Sequence, residues 1–194
     1  MRRTSALRLR PRTLLAIMKP LLLSVFAALS LVACVPSLQS GPGALAVDAP
    51  APNARLVDLS AKPVSLDALS GQPLLVNVWG VWCKPCLEEI PELKAIQDQF
   101  KAQGLVVIGI NFLDSRERLD TYLKDNPLNY AVWLEGQGTD RVRLLLASWQ
   151  RYTSGSVSVP YSFAINRAGK VTGVLWNYKP GSKELENLAQ SALK

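Results

Sequence analysis

Residues 54–194 read as an α/β sandwich in which a mixed β-sheet lies between helices. Nearly continuous apolar runs at 74–79 and 105–110 have the character of buried strands. Stretches with helical spacing follow at 85–101, 115–124 and 139–152. The order β-β, then β-α-β-α-β-α-β-β-α, implies a parallel core of sheet completed by an antiparallel hairpin.

The chain before this domain has its own character. Arg2, Arg3, Arg8, Arg10, Arg12 and Lys19 form a basic stretch without an acidic residue, and an apolar run of 13 residues, 21–33, follows. That run is short of the roughly 20 residues a membrane-spanning helix needs and has the anatomy of a secretory signal. Met18 followed by Lys-Pro-Leu-Leu-Leu would make a more compact signal and is the expected start. The run ends in Leu31-Val-Ala-Cys34, which resembles a bacterial lipobox. Residues 1–33 are therefore expected to be a lipoprotein-type signal peptide, with Cys34 lipidated and anchoring the mature chain to a membrane. The competing reading is a chance cysteine in an ordinary signal or membrane anchor. Residues 34–53, rich in Pro, Gly, Ala and Ser, read as a flexible tether.

The leader also explains the charge. The whole chain carries a formal +7, but six of its 22 basic residues and none of its 15 acidic residues lie in 1–33, leaving +1. No basic domain surface argues for a nucleic-acid partner. The chain has no histidine, which removes the usual neutral-pH general base and the commonest metal ligand.

Within the domain, 55–69 alternates weakly around Ala61-Lys-Pro63 and suggests a leading β-hairpin. Residues 74–79 are interrupted only by Asn77. In 85–101, Ile90, Leu93, Ile96 and Phe100 share a face, while Glu88, Glu89 and Glu92 load the first turns, favourable to the helix dipole, and Glu88 and Glu89 read as surface acids. Gln103-Gly104 stops that helix. Ser115 is placed to cap the helix over 115–124, and 130–134 reads as a strand. Residues 160–165 and 170–176 pair about Asn166-Arg-Ala-Gly169. A closing helix over 182–193 has Ser182 as its expected cap.

Chemistry concentrates in Trp82-Cys-Lys-Pro-Cys86, between the central strand and the first long helix. A Cys-x-x-Cys in that setting points to a redox motif. Cys83 would meet unpaired N–H groups and the positive end of the helix dipole, which favour a thiolate. Cys86, one turn on, could attack a mixed disulfide formed at Cys83. Pro85 is tolerated in the first turn, where its missing N–H has no partner. A zinc site needs about four ligands, and only Cys34 remains besides the pair. A structural staple over so short a loop would constrain the unfolded chain little. Haem attachment needs a histidine where Leu87 stands. No metal and no cofactor beyond a redox-active Cys83–Cys86 disulfide is expected.

The segment Asn77-Val-Trp-Gly-Val-Trp-Cys-Lys-Pro-Cys-Leu-Glu-Glu-Ile-Pro-Glu-Leu93 resembles the active-site signature of TlpA/ResA-type extracytoplasmic thioredoxins, including the cytochrome c maturation member CcmG (DsbE). Similarity continues through 102–111 and 159–169. The resemblance implies a thioredoxin-like three-layer α/β/α sandwich with an N-terminal β-hairpin extension. It makes Cys83 the attacking and Cys86 the resolving cysteine. It makes Pro160 a cis-proline facing the dithiol, with the Val159 backbone exposed to an extended substrate, and Pro91 a helix-kink proline. Trp82 would shield the disulfide and Trp79 would pack in the core. Lys84 is either a solvated charge or a group that lowers the Cys83 pKa. Asn77 stands where thioredoxin has a buried Asp, so a proton relay through that carboxylate is not expected.

The resemblance further implies a disulfide reductase on the periplasmic side of the cell envelope. It would act on disulfide-bearing envelope proteins, draw electrons from a membrane thiol transporter, and work as a monomer. Tyr161-Ser162 departs from the Thr-Thr or Glu-Thr common after this proline, and that leaves the cytochrome role open. Peroxidase relatives carry Pro and Thr or Ser ahead of the reactive cysteine; Val76, Gly80 and Val81 do not supply them. A tethered binding module without turnover and a dimeric isomerase are the rival readings.

Overall fold

The computed structural model describes residues 47–51, 55–135, 159–176 and 178–194. The leader, Cys34 and the helix read over 139–152 lie outside them. Seven strands form one sheet: β1 (Arg55–Asp58), β2 (Pro63–Ser65), β3 (Leu74–Trp79), β4 (Val106–Asn111), β5 (Ala131–Glu135), β6 (Tyr161–Ile165) and β7 (Val171–Trp176). Their order is β2-β1-β5-β4-β3-β6-β7. β3, β4 and β5 run parallel, while β6 and β7 complete one side antiparallel and the β1–β2 hairpin completes the other. Among the described residues the α-helices are α1 (Lys84–Phe100), α2 (Arg116–Asp125) and α3 (Glu184–Ala192).

Strand pleating sorts β3 between two cores. Leu74, Val76 and Val78 join Ile108, Ile110, Phe163 and Ile165 on one face. Leu75 on the opposite face packs with Leu93, Ile96 and Phe100 of α1 and with Leu185 and Ala189 of α3. Trp79 continues that face toward the strand's C-terminal end, beside Cys86, Ile90 and Leu119 of α2. β3 is buried at every position, which is why its sequence is an apolar run and not an alternation. Gly109 makes room for Trp79: a Cβ there would stand 2.8 Å from the indole Nε1.

Local chemistry sets the ends of elements. Asp58 Oδ1 accepts from the amides of Ser60 and Lys62 and closes the first hairpin. Asn166 Oδ1 does the same for Ala168 and Lys170 in the last one, where Gly169 takes a φ of 74°. Ser115 caps α2, its hydroxyl accepting from Arg118 N. Ser182 does not cap α3. A turn through Gly181 moves the helix start one residue on, Lys183 occupies the cap position without a side-chain bond, and the Ser182 hydroxyl donates to Glu184. Residues 47–51, in the stretch read as tether, hydrogen-bond through Asp48, Ala49 and Ala51 to Gly169 and Val171.

Candidate functional site

The site forms where β3 ends and α1 begins. Cys83 is the N-cap of α1, with extended backbone (φ −96°, ψ 99°), and its Sγ accepts from Cys86 N at 3.2 Å. The cap geometry therefore points one orphan helix amide at the Cys83 sulfur, an arrangement that stabilises negative charge there. Cys83 and Cys86 are joined in a disulfide, Sγ–Sγ 2.06 Å. Cys86 is fully buried, while Cys83 keeps 5% of its surface open, so an incoming thiolate can reach only the first sulfur. Pro85 occupies the first turn as expected, and α1 continues through Pro91 without ending.

Val159 and Pro160 meet this pair from the loop before β6. The Val159–Pro160 peptide is cis, Pro160 is buried, and the Val159 carbonyl lies 3.6 Å from Cys83 Sγ. In the dithiol state a Cys83 thiol could donate to that oxygen; in the disulfide it is a contact only.

Hydrogen bonds tie the loop carrying the cysteines to the segment after β4. Phe112 N donates to Trp79 O at 2.8 Å, Val81 N to Asp114 Oδ2 at 2.6 Å, and Trp82 Nε1 to Phe112 O at 3.2 Å. Asp114 has its side chain completely buried and also accepts from Asn111 Nδ2. Gly80 lets the Trp82 indole lie against the backbone, since a Cβ there would come within 2.5 Å of Nε1. Trp82 itself is 45% exposed beside Cys83, whereas Trp79 is buried. Lys84 extends into solvent, 3.9 Å from Glu88. Such an exposed pair is weak and screened.

Glu89 corrects the sequence reading. It is 1% exposed, not a surface acid. Positions 86, 89, 90 and 93 share one helical face, and that face is the one packed on the sheet. Burial pushes the Glu89 carboxyl up to about 8, with Glu92 adding to the rise and the Asn77 amide opposing it. Asn77 Nδ2 donates to both Glu89 Oε1 and Ser162 Oγ. Register explains the second bond, since Asn77 pairs with Ser162 across β3 and β6. Asn77 thus carries no carboxylate, but it holds one that α1 supplies. This buried carboxyl lies one turn beyond Cys86. The period of α1 contained the signal, because Cys86+3 falls on the apolar face. Asp114 had no such signal, since its partner is 33 residues away.

The fold and this cysteine pair define a thioredoxin-fold protein of the thiol–disulfide oxidoreductase class. The chain belongs to the AhpC/TSA family, whose profile matches residues 47–174. It is 31% identical over 137 residues to the thiol-disulfide oxidoreductase ResA of Bacillus subtilis, covering 70% of each chain. It is 30% identical over 121 residues to ResA of Bacillus cereus, covering 62% of this chain and 64% of that one. Among solved structures, a thioredoxin-family thiol:disulfide interchange protein from Chlorobium tepidum superposes with a TM-score of 0.61 at 28% identity, over 77% of this chain and 99% of that one. One described as a DsbE thiol:disulfide interchange protein, also from Chlorobium tepidum, has a TM-score of 0.64 at 26% identity, over 78% and 100%.

Proposed function

We propose that the protein is a disulfide reductase of cell-envelope proteins, with Cys83 as nucleophile and Cys86 as resolving thiol. The observation that carries these roles is the asymmetry of the pair. Cys83 is the sulfur that keeps solvent access and receives the helix amide; Cys86 is sealed beneath it. In the working cycle both cysteines begin reduced. The Cys83 thiolate attacks one sulfur of a substrate disulfide and expels the other as a thiolate. The Cys86 thiol loses its proton and attacks Cys83 Sγ, releasing the second substrate thiol. Two electrons pass to the substrate, and the Cys83–Cys86 disulfide remains.

Trp82 covers the approach to that disulfide, Lys84 and Pro85 border it, and the Val159 carbonyl ahead of Pro160 offers a backbone acceptor to an extended substrate. Among the described residues, the buried Glu89 carboxyl, protonated at neutral pH, is a group able to hold a proton near Cys86. No cofactor beyond the cysteine pair takes part. A membrane thiol transporter returns the electrons, and lipidated Cys34 holds the monomeric domain at the periplasmic face of a membrane. Apocytochrome c is one substrate class this arrangement suits.

Cys86→Ser should accumulate a substrate adduct on Cys83, seen by mass spectrometry of non-reducing gel bands. If Cys83→Ser traps instead, the roles are reversed. A reduction potential close to the −120 mV of a strong oxidant would overturn the reductant direction. Cys34→Ser should release the protein from the membrane fraction.

A further inference from the structure

Leu113 is at odds with its surroundings. Its φ is 62°, in the left-handed region that favours glycine and asparagine, and 54% of its surface is exposed. A turn selected only for shape would carry Gly or Asn here. Both neighbours are fixed to the cysteine loop. Phe112 accepts from the Trp82 indole, and Asp114, buried, accepts from Val81 N. The backbone is thus pinned on both sides of the one residue whose side chain is left outside. Among the described residues the exposed large apolar side chains are Val47, Trp82 and Leu113; Trp82 is hydrogen-bonded to the residue that precedes Leu113. Backbone strain at a site flanked by such anchoring is a pointer to function.

We propose that Leu113 and the Trp82 indole form an apolar lip that seats a nonpolar side chain next to the cysteine of a substrate disulfide, making Leu113 a specificity-determining residue. This rests on exchange at Cys83. The occupant is the disulfide-bearing segment of the substrate, because Trp82 directly precedes Cys83, whose sulfur that segment must reach. Loop anchoring keeps the lip in place before the substrate arrives, so little ordering cost opposes binding. Covering the exposed part of a leucine is worth roughly tenfold in affinity.

The test uses the full chain, reduced, with two cystine-bridged peptides that differ only in a Leu or a Ser beside each cysteine. The wild type should reduce the Leu peptide with a kcat/KM roughly tenfold higher. Leu113→Asn, at ease with positive φ but polar, should bring that ratio close to one. Its melting temperature should not fall below that of the wild type, which separates lost recognition from lost fold. Leu113→Met should keep the preference. Equal treatment of the peptides by the wild type, or an unmoved ratio in Leu113→Asn, would overturn the lip. If the wild type reduced neither peptide, exchange at Cys83 would itself be wrong and the lip would fall with it.

Discussion

Replacing Glu89 by Gln should make the oxidised protein's stability less dependent on pH between 5 and 8. The carboxyl is raised from 4.5 to about 8 by burial, so the folded state binds its proton over a range where the unfolded chain has released it. Stability from this group is therefore fully present below pH 4.5 and is lost as pH rises toward 8. With these two values, linkage gives a loss of about 2–3 kcal/mol between pH 5.5 and 7.5. For a domain of this size that is roughly 5–10 °C in melting temperature. Glutamine keeps an oxygen to accept from Asn77 Nδ2 but has no charge to desolvate. Thermal unfolding of both proteins at pH 5.5, 6.5 and 7.5 measures the difference, and effects of other titrating groups cancel between them. The wild type should lose several degrees more than Glu89→Gln across the series. Parallel curves would show that the Glu89 carboxyl is not held neutral by burial, and its assignment as the proton-holding group near Cys86 would fail.

Other consequences are local. Gly109→Ala would drive a methyl to within 2.8 Å of the Trp79 Nε1, and overpacking of this kind should cost about 1–3 kcal/mol in urea unfolding. Ser115→Ala removes the acceptor for Arg118 N at the start of α2; a loss of about 1 kcal/mol is expected, and hydrogen exchange should quicken in the first turn of α2 without a change in α1.

Much of the fold could be read along the chain because its elements carry strong local periodicity. β3 was expected at 74–79 and spans Leu74–Trp79; its run of apolar side chains is what burial on both faces demands. The Asn166–Gly169 turn and the Ser115 cap were legible because a short polar side chain bonding its own neighbouring amides is a local event. Ser182 shows the limit of that logic. It has a capping residue's chemistry, but the preceding turn sets where α3 starts, and the adjacent Lys183 takes the position.

The candidate site divides along the same line. The spacing Cys83-x-x-Cys86 ahead of a helix dictated by itself that two sulfurs lie one turn apart at a helix start, because the 3.6-residue period and the cap are properties of the segment alone. The period of α1 also puts Glu89 on the apolar face, but what burial makes of its charge could not be read that way. Glu89 became a neutral buried carboxyl because α1 presses that face onto the sheet and β6 brings Ser162 alongside Asn77. Asp114 became the anchor of the cysteine loop because parallel pairing brings the end of β4 beside the end of β3. Burial and cross-strand register join residues that are distant along the chain, and the free energies that make a carboxyl neutral or a loop rigid arise only once the sheet has brought them together.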